Sequence, residues 1–424
     1  MASATVRRIS ECFVKPDLPP DAKQPIYFTP FELIYLNANY SQKGLLFAKP
    51  SPPESHHFSI TTFLEDLRRS LSATLTHFYP LAARLATRKE ENPPSYVIYI
   101  DPENSPGVKF AHATVDITVS DILTSTDVTE LLDGIFIGGS VNHLIADGTS
   151  FWHFMAAWSE IFRSKQQDEY SISRPPIFKK WVLEGSDPVI NLPFTHHNQF
   201  IDRPDQQAMF QERFFHFSSA IVSRLKAKAN AESNTHKISS LQAVSALLWR
   251  CITRVRGLTR ESETVCKLVI SNRCRLNPPL SDDYFGNPIQ SVSGTATVED
   301  LMTRGLGWAA LQLHEAVANH DDTAVKKWVE SWFRSPVVYK RSQLFHPNVV
   351  HFGSSPRFDM YGCEFGLGKA VAARSGYMNK ADGKMTMYPG QEGGGSMDVE
   401  VCLLPEYMMD LECDEEFIIA LKSN

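Results

Sequence analysis

Residues 171–205 carry Pro175, Pro176, Pro188, Pro193 and Pro204, and this stretch constrains the fold more than any other. Proline lacks a backbone N–H and holds φ fixed, so a regular element does not survive such a density of it. A loop of this length inside one compact domain is unusual. The stretch therefore reads as a crossover between two domains. The division falls at residues 1–175, a crossover over 176–205, and residues 206–424. At roughly 100–200 residues per domain, a chain of 424 residues is sized for two.

Both halves mix helix and strand patterns, which sets the class as α/β. Phe63, Leu67, Leu71, Leu75 and Phe78 recur at helical spacing, and Pro80 stops that helix. Residues 95–100 (Ser-Tyr-Val-Ile-Tyr-Ile) are rich in β-branched and aromatic residues, as strands are. Residues from Gly134 read as a buried strand running into His143. Gly148 and Thr149 then suggest a turn and an N-cap, and Phe151, Phe154, Met155, Trp158 and Ile161 mark an amphipathic helix. In the second half, Ser239 and Ser240 open a predicted helix over 239–252. Residues 265–270 read as a strand and 298–332 as helical. Val399, Val401 and Leu403 alternate with Asp398, Glu400 and Cys402, the period of a strand.

Charge and cysteine usage exclude several function classes. The net charge of −6 comes with no block of like charges, which argues against nucleic acid or an anionic membrane as partner. The seven cysteines are odd in number and scattered, with no C-x-x-C, so neither a disulfide framework nor a zinc site is expected. The N-terminus has no apolar core behind Arg7-Arg8, and no apolar run reaches membrane-spanning length. The expected location is the cytoplasm.

His143 and Asp147 are the first candidates for chemistry. An H-x-x-x-D spacing is weak alone, and the chain holds a second in His112 and Asp116. Context separates them. His112 lies in a stretch that continues as a strand, whereas His143 lies where a strand ends before a Gly turn and a helix. Active-site groups are commonly presented at such ends. A neutral imidazole can take a proton from a hydroxyl or amine without a cofactor. Asp147 stands just before a helix that turns its side chain away, so an ion pair or cap suits it better than a proton relay. There is no G-x-S-x-G, P-loop, G-x-G-x-x-G or H-E-x-x-H in the chain. His56-His57 and His196-His197 follow Pro-containing stretches without further ligands, so no metal is expected at either.

The chain also resembles the plant BAHD acyltransferases, along nearly its whole length. The resemblance rests on Phe-Thr-Pro-Phe-Glu-Leu at 28–33, residues 71–85, His143–Gly148 followed by Thr-Ser-Phe-Trp, and residues 241–251. It extends through Asn-Arg-Cys-Arg-Leu at 272–276, Tyr-Phe-Gly-Asn at 284–287, and residues 361–369. It implies two similar mixed-sheet domains joined by a crossover, with a channel between them and His143 midway along it. A segment around 360–395 would pack with the N-terminal domain. His143 would deprotonate a hydroxyl or amine acceptor, which attacks the thioester of an acyl-CoA directly, without an acyl-enzyme. Acyl-CoA would be a co-substrate, with no permanently bound cofactor, and the chain would act as a monomer. Ser354 and Ser355 are implied near the acyl carbonyl, and Ser239 and Ser240 on the CoA side, where a helix N-terminus suits phosphate.

One motif departs from the family pattern. Asp-Phe-Gly-Trp-Gly is replaced by Glu364-Phe365-Gly366-Leu367-Gly368. The resemblance implies an architectural acid here, so Glu364 is expected to pair with Arg273 or Arg275. The departure also motivates two alternatives: a lyase or intramolecular reaction using His143 without CoA, or a binding protein without catalysis.

Overall fold

The computed structural model describes residues 5–18, 22–50, 58–123, 133–164, 171–201, 209–340 and 345–422. His56 and His57 lie outside the described residues. Fourteen strands are present among those described: β1 (Val6–Val14), β2 (Ile26–Tyr27), β3 (Ser41–Ala48), β4 (Arg84–Glu91), β5 (Pro94–Asp101), β6 (Val108–Val115), β7 (Gly134–Val141), β8 (Gln211–Phe217), β9 (Glu263–Ser271), β10 (Ile289–Thr297), β11 (Val349–Gly353), β12 (Ala372–Ser375), β13 (Lys384–Pro389) and β14 (Met397–Leu403). The fold is mixed α/β. The C-terminal half holds one six-stranded sheet, ordered β10-β9-β11-β13-β14-β8. The other strands form three small sheets, β12-β3-β7, β2-β5-β4 and β1-β6.

The six-stranded sheet has two chemically different faces because side chains alternate along a strand. On one face Cys266, Leu268, Val350, Phe352, Met385, Met387, Val399, Val401 and Leu403 pack into a core with the helices Ser219–Glu232, Ser240–Val255 and Gly305–Ala318. The other face is polar. The strand registers set Lys267, His351, Lys384, Cys402 and Glu212 in one row across it. This face is turned toward the N-terminal half. The Tyr35 hydroxyl is hydrogen-bonded to Ser291 of β10. Ser375 of β12 donates to Glu400 of β14 at 2.7 Å.

The chain exchanges material between the halves. β12 pairs with β3, Ala372 against Leu46 through Ser375 against Lys43. The Pro-rich stretch is largely irregular over its described residues and is held by a bridge from Ile177 to Tyr284 and another from Leu192 to Tyr96. Lys180 of the crossover reaches the buried Glu32 at 2.6 Å.

Several sequence expectations need correction. β7 is an edge strand with Phe136 exposed and only Ile137 fully buried, so its apolar start does not signal a buried strand. The predicted helical stretch over 298–332 is three helices, Val298–Thr303, Gly305–Ala318 and Asp322–Arg334. Gly305 in the left-handed region breaks the first junction.

The segment Glu364–Gly368 packs against the outer side of the helix Gly148–Arg163. Phe365 is fully buried, with its ring edge-on to Trp158 at 5.1 Å and near Phe162 and Phe47. Its N–H donates to Ser159 at 3.0 Å. Phe365, Gly366 and Gly368 all take positive φ, which accounts for glycine at two of the three positions. Phe365→Ala should cost about 3–5 kcal/mol of stability, as aromatic truncations in cores do. Urea denaturation should show this as a lower midpoint.

Candidate functional site

His143 is held in a turn. After β7, the Asn142 side chain accepts from Leu144 N–H at 2.9 Å, and Ile145 N–H donates to the Asn142 carbonyl at 2.9 Å. Such a turn is what an Asn side chain stabilises. It sets the imidazole at the end of β7, facing the polar side of the six-stranded sheet. The ring lies deep among protein atoms yet remains partly accessible, as a group on the wall of an internal cleft would be. Nδ1 is buried and has no hydrogen-bond partner in another residue. Tyr35 stacks on the ring with centroids 5.9 Å apart, and Tyr339 packs edge-on to Tyr35 at 5.8 Å.

The surroundings keep this imidazole neutral. Burial lowers its pKa below the ordinary 6.5, and the positive charges of Lys384 and Lys43 push the same way. A neutral ring with a free nitrogen is the form that accepts a proton.

Asp147 serves a different purpose. It is buried and caps the helix Gly148–Arg163, accepting from Ser150 N–H at 2.9 Å. The cap is thus Asp147 rather than Thr149. Arg273 donates to both carboxylate oxygens, at 2.5 and 3.1 Å, and also to Ser150 Oγ and the Tyr284 carbonyl. Ser150 Oγ in turn donates to the Gly286 carbonyl and accepts from its N–H. Gly148 has a steric reason as well: a Cβ there would stand 2.7 Å from the Phe358 ring.

Arg273 is therefore committed to Asp147 and does not pair with Glu364. Arg275 does not pair with Glu364 either, since it donates to the carbonyls of Val317 and His320. The expected Glu364 partnership is absent because both guanidinium groups are used elsewhere.

The other candidates are placed as follows. Ser354 lies just past β11 at φ +68°, and its Oγ accepts from Lys43 at 2.9 Å. Ser355 Oγ accepts from Arg357 N–H. Ser239 caps the helix Ser240–Val255 in a reciprocal box with Gln242. The remaining first-turn N–H groups, including that of Ser240, have no intrahelical acceptor. His112 sits mid-strand in β6. A cavity of about 350 Å³ lies between Tyr27–Pro30 and the crossover residues Phe178–Leu183, and His143 is not on its wall.

Several functional neighbours escaped the sequence reading: Tyr35, Lys43, Lys384 and His351. The first lies two residues past the Phe-Thr-Pro-Phe-Glu-Leu motif, a usable signal. The others become neighbours only through sheet register.

Two tests follow from this packing. Arg273→Met leaves the Asp147 carboxylate buried and unpaired, which should cost about 3–5 kcal/mol in urea denaturation at neutral pH. His351 is held neutral by burial beside Lys384 and Lys267, its pKa pushed down to about 3 from 6.5. The unfolded chain takes this proton near 6.5 and the fold resists it. Stability is thus intact above 6.5 and lost as pH falls toward 3. His351→Phe should move the midpoint of acid unfolding to lower pH.

The Transferase family model matches residues 5–128 and 123–418. An uncharacterised acetyltransferase of Arabidopsis thaliana is 36% identical, with 98% of this chain and 99% of that protein covered. The BAHD acyltransferase DCR of the same plant is 31% identical, over 98% of this chain and 93% of that protein. Among solved structures, vinorine synthase superposes with a TM-score of 0.75 at 19% identity, over 99% of both chains. TRI101 of F. sporotrichioides, crystallised with coenzyme A and T-2, gives 0.70 at 16%, over 93% of this chain and 98% of that one.

Proposed function

The chain belongs to the Transferase family as a plant BAHD acyltransferase, and we propose that it transfers an acyl group from an acyl-CoA to a hydroxyl or amine of a small metabolite with His143 as general base. The observation that carries this reading is a partly accessible imidazole at a strand end, its pKa lowered by burial, with Asp147 committed to Arg273.

In this reading His143 Nε2 takes the proton of the acceptor as the acceptor oxygen or nitrogen attacks the thioester carbonyl. The tetrahedral oxyanion collapses and expels CoA thiolate, to which the imidazolium returns the proton. Tyr35 holds the ring plane by stacking. Ser354 is the better of the two serines for the oxyanion, because Lys43 occupies its lone pair and leaves its O–H to donate. Losing one such donor costs roughly 100- to 1000-fold in rate. Direct attack is favoured over an acyl-enzyme. The buried thiols Cys251, Cys266, Cys363 and Cys402 have pKa values pushed up by burial and are poor nucleophiles. On the CoA side, the Ser240 N–H at this helix start suits a phosphate, the Ser239 N–H being taken by the Gln242 side chain.

The test is His143→Ala assayed with acetyl-, malonyl-, benzoyl- and hydroxycinnamoyl-CoA. The variant should lose turnover yet keep its thermal midpoint and its stabilisation by CoA thioesters, about 2.7 kcal/mol at 100 times the dissociation constant. Full activity in the variant would sink the mechanism, and no stabilisation of the wild type by any thioester would sink CoA dependence. For the wild type, kcat/KM should fall on the acid side with a midpoint below 6.5, because His143 must be unprotonated.

A further inference from the structure

Lys43 and Lys384 act on His143, and a third lysine, Lys380, stands behind them with the carboxylates. Lys43 stands on β3, Lys384 opens β13, and Lys380 lies between β12 and β13. The nearby buried carboxylate is Glu400. It is fully used: Lys380 forms an ion pair with it, and the hydroxyls of Ser375 and Tyr388 donate to it at 2.7 and 2.8 Å. Lys380 also meets Glu212 at 3.0 Å.

Lys43 and Lys384 are left with neutral acceptors. Lys43 donates to Ser354 Oγ at 2.9 Å, and Lys384 to the Asn379 carbonyl at 2.7 Å. Neither forms an ion pair among the described residues. Both lie deep in the fold while keeping some accessible surface, as His143 does. Burial lowers both ammonium groups, to about 8 for Lys43 and about 7 for Lys384; the charge of Lys380 pushes both the same way and Glu400 offsets part of it. With Glu400 already ion-paired to Lys380, holding two further ammonium groups out of water is unfavourable for the empty fold. The arrangement is complete only when an anion enters the cleft.

The identity of that anion follows from position. Lys43 stands opposite Gly139 of β7, four residues before His143, and donates to Ser354; Lys384 reaches the Asn379 carbonyl, and the Asn379 side chain donates to the Tyr40 carbonyl just before β3, so an anion held by the two lies near the reacting carbonyl. CoA's phosphates are separated from its thioester by the long pantetheine arm and do not reach the same place. A carboxylate borne by the acyl group, or by the acceptor next to its nucleophile, does. We propose that Lys43 and Lys384 form a carboxylate subsite beside His143, so that one of the two substrates of this enzyme is an acid. The proposal rests on the acyl-transfer reading above. It makes the two lysines specificity residues for a reaction whose proton transfer belongs to His143.

The test is isothermal titration calorimetry on the full chain, in wild type, Lys43→Met and Lys384→Met. The donor arm compares malonyl-CoA with acetyl-CoA and free CoA; the acceptor arm compares shikimate with its methyl ester in the presence of CoA. One arm should show a preference of about tenfold or more for the carboxylate, the size of one charge-assisted contact, and each variant should lose most of it while binding acetyl-CoA as the wild type does. The unliganded variants should unfold at the same or a higher temperature, since each removes an unpaired buried charge. Absence of preference in both arms, or its survival in both variants, overturns the proposal. Equal weakening of free CoA and malonyl-CoA also overturns it, because the lysines would then serve phosphate. A lower unfolding temperature in both variants would mark the lysines as structural supports and sink the assignment as well. If no CoA compound binds the wild type, the acyl-transfer reading itself fails, an outcome distinct from the others.

Discussion

The buried ion pair between Asp147 and Arg273 is the interaction on which the site depends. It joins a helix start in the N-terminal half to the loop after β9 in the C-terminal half, 126 residues apart. Neither group has an alternative. Asp147 also caps its helix, and Arg273 also holds Ser150 and the Tyr284 carbonyl. A buried ion pair adds little net stability over well-packed apolar residues, but losing one partner is costly. Its consequence here is registration. It locks the strand–turn–helix unit that presents His143 against the polar face of the six-stranded sheet. Nearby, the buried Glu32 accepts from Thr29, Lys180 and Asn287 N–H, tying the crossover to the same loop region.

With Asp147 so engaged, His143 is left without a carboxylate orienter. Its tuning comes from desolvation first; a hydrogen bond to its own backbone opposes this, and the smaller effects of Lys384 and Lys43 add to the lowering while the Asp147 charge offsets part of it. That is a different solution from a triad, in which an acid stabilises the imidazolium. A lone imidazole kept neutral by its surroundings is a weaker acid–base partner but is always ready to accept a proton. The cost of the protonated state must then be met by the transient negative charge of the tetrahedral intermediate and by Ser354.

Much of this was legible in the residues. The apolar spacing of Phe63, Leu67, Leu71 and Leu75 became the helix Ile60–His77, and the alternation of Val399, Val401 and Leu403 became β14. The contrast between His112 in mid-strand and His143 at a strand end held, because it is a local property of the chain. What local pattern does not carry is partner choice. The residues point Glu364 to Arg273 or Arg275, but only the folded chain shows that Asp147 takes the first guanidinium and the Val317 and His320 carbonyls the second. Lys43, Lys384 and His351 lie on three different strands, and their convergence is a matter of register over more than 300 residues. β7 misled for a related reason: Ile135 and Phe136 suggest burial, but an edge strand leaves one side open.

The division of labour between His143 and Asp147 is tested most directly by titrating the His143 imidazole. NMR of ring-labelled histidine in the unliganded wild type would follow it, with His143→Gln assigning the resonance. A lone, desolvated imidazole facing lysines should titrate below 6.5. A midpoint above that value would mean that a carboxylate supports the imidazolium, as in an Asp–His dyad, and would contradict the assignment of Asp147 to Arg273 alone.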